Sequence, residues 1–488
     1  MWLFLLFLRD SIQAMKLPAT VLAVLLSFTL LAQNAYEIKV TLKPFKNQYI
    51  YLGHYYGKQL PIIDSVLLND KSEGIFKGTK KLGGGIYLIG YPDRAHNFEF
   101  LVDKNQKFSV VADTNNIRNL SFIHSPENVA FITYQDFMMK NGRQLEALQK
   151  EKSGLTNKSD STKIIAQVEA INAVVRKYRT DIMAKDDNSL LPVLLKAMRE
   201  PEVPKNDSAA KTDSLFAYRY FKNHFWDGVN FYDDRLVRTP FFESRIDKYF
   251  EQLVYPNADS VKKEMDWMLG YASISEEMQK FLLLKFINRY YNQKYMWEDA
   301  VFVHLFEKYI SNKDYPWLTA QGKKQITDRA YSLMANITGT PAANIELKNV
   351  DDKTTTLYEV DAPFTLVTIW DPTCGHCKET LPKLDSMYRA KWKGLGMKLF
   401  ALAKETDGTK QTWLTFIKDH KLNDWVHVYY SKEEDKARIE AGIPGYSQLY
   451  DVQSFPTLYL LDKDKKIIGK KLTEEQVDEI LGYKLKNQ

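Results

Sequence analysis

The sequence predicts a multidomain chain: an N-terminal all-β sandwich, a central all-α domain and a C-terminal α/β domain. Three observations carry this expectation. The 488 residues exceed what one hydrophobic core serves and suggest about three domains. The apolar pattern changes period twice, to helical spacing near Ser125 and to alternating strands and helices after Gly339. Cysteine is confined to Cys374 and Cys377, both in the last segment.

Composition narrows the class. The chain is 45% hydrophobic and 26% charged, an ordinary soluble balance that argues against disorder and collagen-like repetition. Its net charge of +6 is small for the length, and lysines alternate with acids. No nucleic-acid footprint follows from that.

The first element is a leader. Leu17–Ala32 is a 16-residue largely apolar run preceded by Lys16. It falls short of the roughly 20 apolar residues of a spanning helix, so residues 1–35 are expected to be a signal peptide. Met15 is the expected start, with cleavage after Ala32 or Ala35 and an uncleaved anchor as the alternative. No cysteine follows to carry a lipid, and no later run is long enough to cross a bilayer. The expected location is the periplasm or cell envelope, with no stable membrane span after cleavage.

Residues 36–125 come next. Tyr36–Leu42, Tyr49–Leu52, Ile86–Ile89, Phe98–Val102 and Lys107–Ala112 have strand character, with turns at Asn69–Lys71, Gly83–Gly85 and Asp103–Asn105. Such spacing predicts the sandwich. Ser125-Pro126 then supplies an N-cap and a first helical proline. From there to 338 the spacing predicts helices over Ile164–Met183, Ser214–His224, Pro240–Leu253, Ser260–Leu269, Ser275–Tyr291, Trp297–Ile310 and Lys323–Met334. Pro201, Pro204, Pro256 and Pro316 separate them.

Residues 339–488 alternate. Strands are predicted at Phe364–Trp370, Met397–Ala403, Trp425–Tyr430, Thr457–Leu461 and Lys466–Gly469, and helices at Cys374–Trp392, Thr409–Lys421 and Thr473–Leu481. Thr473 with Gln476 fits a capping box, and Asp462-Lys463-Asp464 a hairpin turn.

Cys374-Gly375-His376-Cys377 lies between a strand and a helix. A C-x-x-C there suits a dithiol that cycles between open and bridged forms. The unpaired amides and partial positive charge of the helix N-terminus favour an anionic first sulfur, and a protonated His376 adds to this. Cys374 is therefore the expected nucleophile and Cys377 the resolving thiol. Outside the cytoplasm, one close pair leaves no spare thiol to mispair.

The region from about 339 to 485 resembles a thioredoxin fold, and most the secreted TlpA/ResA-like thiol–disulfide oxidoreductases. Three matches carry the resemblance: Trp370 four residues before Cys374; the C-x-x-C with Pro382 five residues beyond it; and Ser454-Phe455-Pro456-Thr457 before a strand. The resemblance implies a cis Pro456 whose edge holds an extended substrate, with Trp370, Phe455 and Thr457 beside it. It implies no cofactor and no metal. Partners would be protein disulfide substrates and an unidentified thiol donor or acceptor. The upstream pieces also resemble a recurrent arrangement, a β-sandwich and a helical domain of unknown function joined to such a domain.

Two departures stand out. Thr380 occupies the position where relatives carry Glu, and Thr368 that where thioredoxin carries Asp. Glu379 is expected to point outward, Glu405 is a weak substitute, and His376 is the expected tuning residue. Other readings stay open. The pair forms a permanent bridge, or the chain is a binding protein with a vestigial dithiol. A thiol peroxidase is disfavoured because Asp371 stands where those enzymes place Thr. His376, His420 and His427 lack zinc-ligand spacing, and His304 is expected to be a hydrogen-bonded core residue. The direction of electron flow is undetermined: the His spacer suits oxidising relatives, the domain reducing ones.

Overall fold

The computed structural model describes residues 35–115, 120–153, 158–185, 188–204, 212–407 and 409–486. The expected leader, apart from Ala35, lies outside them. Among the described residues no helix is long and apolar enough to cross a membrane. The chain divides into two compact units, residues 1–248 and 249–488.

In the first unit, alternating strands build two sheets around one core. The strands are β1 (Tyr36–Lys43), β2 (Tyr49–His54), β3 (Ile62–Leu67), β4 (Glu73–Gly78), β5 (Gly85–Gly90), β6 (Asn97–Val102), β7 (Lys107–Asp113) and β8 (Ser121–Ile123). They order as β4-β1-β7-β8 and β3-β2-β5-β6. Along β1 every second residue is buried. Ile38, Val40 and Leu42 from one sheet meet Ile50, Leu52 and Phe100 from the other. Strands β3, β4 and β8 are additions to the expected set. Ile62, Ile63 and Leu67 of β3 are exposed, so no in–out alternation marks it.

Helix α1 (Pro126–Ser153) starts at the expected proline. Ser125 stands at its N-cap position: its C=O accepts from Val129 N–H at 3.1 Å, and its Oγ accepts from Asn128 Nδ2 at 2.9 Å. The buried Asn128 also accepts from Leu101 N–H (2.6 Å) and donates to Leu101 C=O (2.9 Å), clipping α1 to β6. Helices α2 (Lys158–Met183), α3 (Leu190–Met198) and α4 (Phe216–His224) follow, and α5 (Phe242–Gln252) runs across the division between units.

The second unit joins helices α6 (Ala258–Ala272), α7 (Glu276–Tyr291), α8 (Glu298–Leu305) and α9 (Ala320–Met334) to a seven-stranded sheet. The strands are β9 (Glu346–Asn349), β10 (Thr354–Thr356), β11 (Phe364–Trp370), β12 (Lys398–Lys404), β13 (Val426–Tyr430), β14 (Thr457–Asp462) and β15 (Ile467–Lys470), in the order β10-β9-β13-β12-β11-β14-β15. β11 is parallel to β12 and antiparallel to β14. All seven of its residues are buried, as a strand covered on both faces requires. One core packs helices α10 (Gly375–Met387), α11 (Lys410–Asp419) and α14 (Glu474–Lys486) on the sheet through Leu381, Leu384, Trp413, Val477 and Leu481. The opposite core collects Ile345, Tyr446 and Tyr450. The Asp462 turn and the Thr473–Gln476 capping pair form as expected.

Short polar elements also add to the expected set: β9, β10 and α12 (Lys432–Glu440), a helix with no buried residue. Helix α13 (Tyr446–Leu449) leads into the loop before β14. There the buried Asp451 accepts from Arg329 Nη1 (2.6 Å) and Ser332 Oγ (3.1 Å) of α9, and from Lys471.

Candidate active site

β11 delivers the chain to the site, and its end is followed at once by Asp371-Pro372-Thr373. Asp371 is buried, with 4% exposure. Its Oδ1 accepts from Thr373 N–H and Thr373 Oγ, each at 2.7 Å, while Oδ2 accepts from the Thr406 hydroxyl. This Asx-type turn brings Cys374 to the N-cap of α10, with its own N–H donating to Asp371 C=O at 3.2 Å.

Cys374 is half-buried and Cys377, one turn inward, has no exposed surface. Both stand as free thiols. Burial pushes the Cys377 thiol far above its ordinary value. The Asp371 backbone opposes that push, and Cys374 and the Asp371 charge reinforce it. Gly375 and His376 are exposed on the first turn, and Pro382 lies inside the helix.

The second part of the site is the loop before β14. Phe455–Pro456 is a cis peptide bond. The Cys374 thiol donates to Phe455 C=O at 3.8 Å, which joins two parts of the chain 81 residues apart. Phe455 and Pro456 are half-buried. Phe455 also packs on both cores of the unit.

Four of the expected residues thus meet: Cys374, Cys377, Phe455 and Pro456. Two others need correction. Trp370 has no exposed surface and packs its ring 4.9 Å from Phe416. It offers no face to a substrate and acts as core beneath the site. Thr457 is buried, and its Oγ donates to Ser454 C=O at 2.6 Å. It closes the loop from behind.

Of the substitutes weighed for a carboxylate, Glu379 is exposed as expected, and Glu405 accepts from Tyr429 OH at 2.8 Å. The buried carboxylate beside the dithiol is Asp371, which sequence reasoning passed over as a site residue. Its signal was present: Asp-Pro directly after an apolar strand marks an Asx turn. His304 is a half-buried partner of Asp266 at 2.9 Å, hydrogen-bonded but on the rim of its core.

Comparison with known proteins bears on the segment that carries the dithiol. Residues 364–467 match the family model described as thioredoxin-like. This is a thioredoxin-like domain. Residues 145–336 match a domain of unknown function, DUF5106. The chain is 26% identical over 145 residues to a thiol-disulfide oxidoreductase ResA of Bacillus cereus, covering 30% of this chain and 75% of that protein. A domain of a possible thiol-disulfide isomerase from Cytophaga hutchinsonii is 29% identical, with 31% and 94% of the two chains covered and a TM-score of 0.27. A thioredoxin-like protein from Bacteroides caccae is 20% identical over 58% of this chain and 98% of that one, with a TM-score of 0.39. The thioredoxin-like domain is of the thiol–disulfide oxidoreductase type.

Proposed function

We propose that this protein is an exported thiol–disulfide oxidoreductase that exchanges disulfides with envelope proteins through Cys374 and Cys377. One observation carries the reading: an accessible sulfur at a helix N-terminus touches a cis-proline loop, with a second sulfur sealed one turn beneath it. Export rests on the Leu17–Ala32 run and on the absence of any cysteine outside the pair. The division at 36–125, 126–338 and 339–488 belongs to the same proposal, and each matched family falls within one segment.

The exchange runs in two displacements. The Cys374 thiolate attacks one sulfur of a substrate disulfide. A mixed disulfide forms and the other substrate sulfur leaves as a thiolate. Cys377 then loses its proton to solvent and attacks Cys374 Sγ. The second substrate thiolate leaves, and the Cys374–Cys377 bridge closes. Two electrons have passed to the substrate, and a thiol donor must return them. The reverse sequence oxidises a dithiol. His376, exposed beside the nucleophile, is the proposed tuning group. Pro456 and Phe455 form the edge against which the substrate chain lies.

Insulin reduction in dithiothreitol, followed by turbidity, tests this. The wild type should accelerate precipitation, Cys374→Ser should abolish the effect, and Cys377→Ser should accumulate a mixed disulfide. An inactive wild type sinks the enzymatic reading in favour of a binding protein.

A further inference from the structure

A cleft of about 700 Å³ opens within the second unit, and its lining includes Gln453 of the loop that carries Phe455 and Pro456. That volume falls in the range of ligand-sized pockets. One wall comes from the helical part, the segment Tyr291–Met296 with Arg329. The other comes from Gln453 and from Lys470–Leu472 with the outer face of α14. Gln453 is two residues from Phe455, whose carbonyl meets Cys374 Sγ. Met296 and Ile480 of the cleft rest on the same core as Cys374 and Phe455, so cleft and dithiol share one foundation.

The walls are fixed to each other. Arg329 donates to Tyr291 C=O (3.0 Å), Gln293 Oε1 (2.5 Å) and Asp451 Oδ1 (2.6 Å). Gln453 Nε2 donates to the same Asp451 oxygen at 2.8 Å. One buried carboxylate thus ties the helical wall to the chain that runs into Pro456. The Lys470 ammonium is buried against Asp299, Asn336 C=O and Asn336 Oδ1, a second fastening.

The lining identifies the occupant class. It mixes amides that can pair with a backbone, aromatic rings and apolar side chains, and charges of both signs. Tyr295 stands 60% exposed at the rim. Such a surface suits an extended polypeptide better than a small charged disulfide.

We propose that this cleft seats the polypeptide flanking the reactive cysteine of the substrate, so that the helical segment selects protein disulfides over small ones. The inference rests on the exchange function proposed above and extends its binding surface beyond the cis-proline edge. A small disulfide reaches Cys374 without entering the cleft; a polypeptide gains contacts there.

The test compares second-order rate constants for oxidation of the reduced full chain by insulin and by hydroxyethyl disulfide. Tyr295→Ala, which empties the rim, and Lys294→Trp, which fills it, both alter exposed side chains. The insulin-to-hydroxyethyl-disulfide ratio is expected to fall at least fivefold in each. An unchanged ratio in both variants overturns the cleft while leaving the exchange function standing. A wild type inert toward both oxidants overturns the exchange function, and the cleft's role with it.

Discussion

At the scale of residues, the two sulfurs differ chiefly in access. Cys374 is half-buried, whereas Cys377 is enclosed and its thiol is held protonated by burial first and by the Asp371 charge last. Resolution of a mixed disulfide needs the Cys377 thiolate, whose fraction rises about tenfold per pH unit while the pH lies below its raised value. The decay of a mixed disulfide, followed by quenched mass spectrometry, should therefore accelerate about tenfold per unit from pH 7 to pH 9. Asp371→Asn keeps an acceptor for Thr373 and removes the charge. It should speed resolution at pH 7.5, by less than tenfold, because the charge is the smallest of the influences that hold the Cys377 thiol protonated. A flat profile, or one unmoved in Asp371→Asn, counts against this account.

The chemistry of this pair was legible because a C-x-x-C after an apolar strand has few other meanings. Trp370 and Thr457 were misjudged for a physical reason: proximity in sequence says nothing about which face of a strand a side chain takes, and both turn inward. Asp371 escaped because relatives carry their acids at the positions of Thr368 and Thr380. Here the carboxylate comes from the turn itself.

At the scale of elements, polar side chains fix how helices leave sheets. Asn128 is the clearest case, since it saturates both backbone groups of the buried Leu101 and also bonds Ser125. Asn128→Ala strands those groups, a loss of about 2–4 kcal/mol by the cost of unsatisfied buried partners. Denaturant unfolding of the first unit should reveal it; a loss below about 1 kcal/mol would mean that water replaces the amide. The helices read from apolar spacing recur within a few residues, because their cores demand that spacing. Most of the elements overlooked lack it, although β4 alternates in and out and α3 is largely buried. β3 exposes its apolar residues, β9 and β10 are short and polar, and α12 buries nothing. Periodicity reports burial, so an element that buries little leaves no trace.

At the scale of the whole molecule, the change from helical to alternating pattern near 339 does not coincide with a boundary between compact units. Helices α6–α9 pack in the same unit as the α/β sheet. Composition registers which local structure a segment adopts. It is blind to bonds such as Arg329–Asp451, which depend on partners 122 residues apart. That unit also carries a buried titrating group. His427 Nε2 donates to Leu422 C=O at 2.8 Å, and burial pulls the ring's pKa from 6.5 down to about 4. Above pH 6.5 the ring is neutral in folded and unfolded chains alike, so its full contribution is present. As the pH falls below 6.5 the unfolded chain gains a proton that the folded chain refuses until about 4. The second unit should therefore lose up to ~3 kcal/mol over that window. His427→Gln should flatten the dependence in denaturant titrations by that amount. A wild-type stability constant from pH 6.5 to 4 would falsify the assignment.

The enclosure of β11 carries a consequence for how such a protein can diversify. All seven residues that aim the nucleophile are locked between two cores. A change there disturbs folding and reactivity together, so selection can scarcely adjust one without harming the other. Novelty must arise in tissue that the sulfur does not lean on. The catalytic strand is the anvil, and the clientele is rewritten around it.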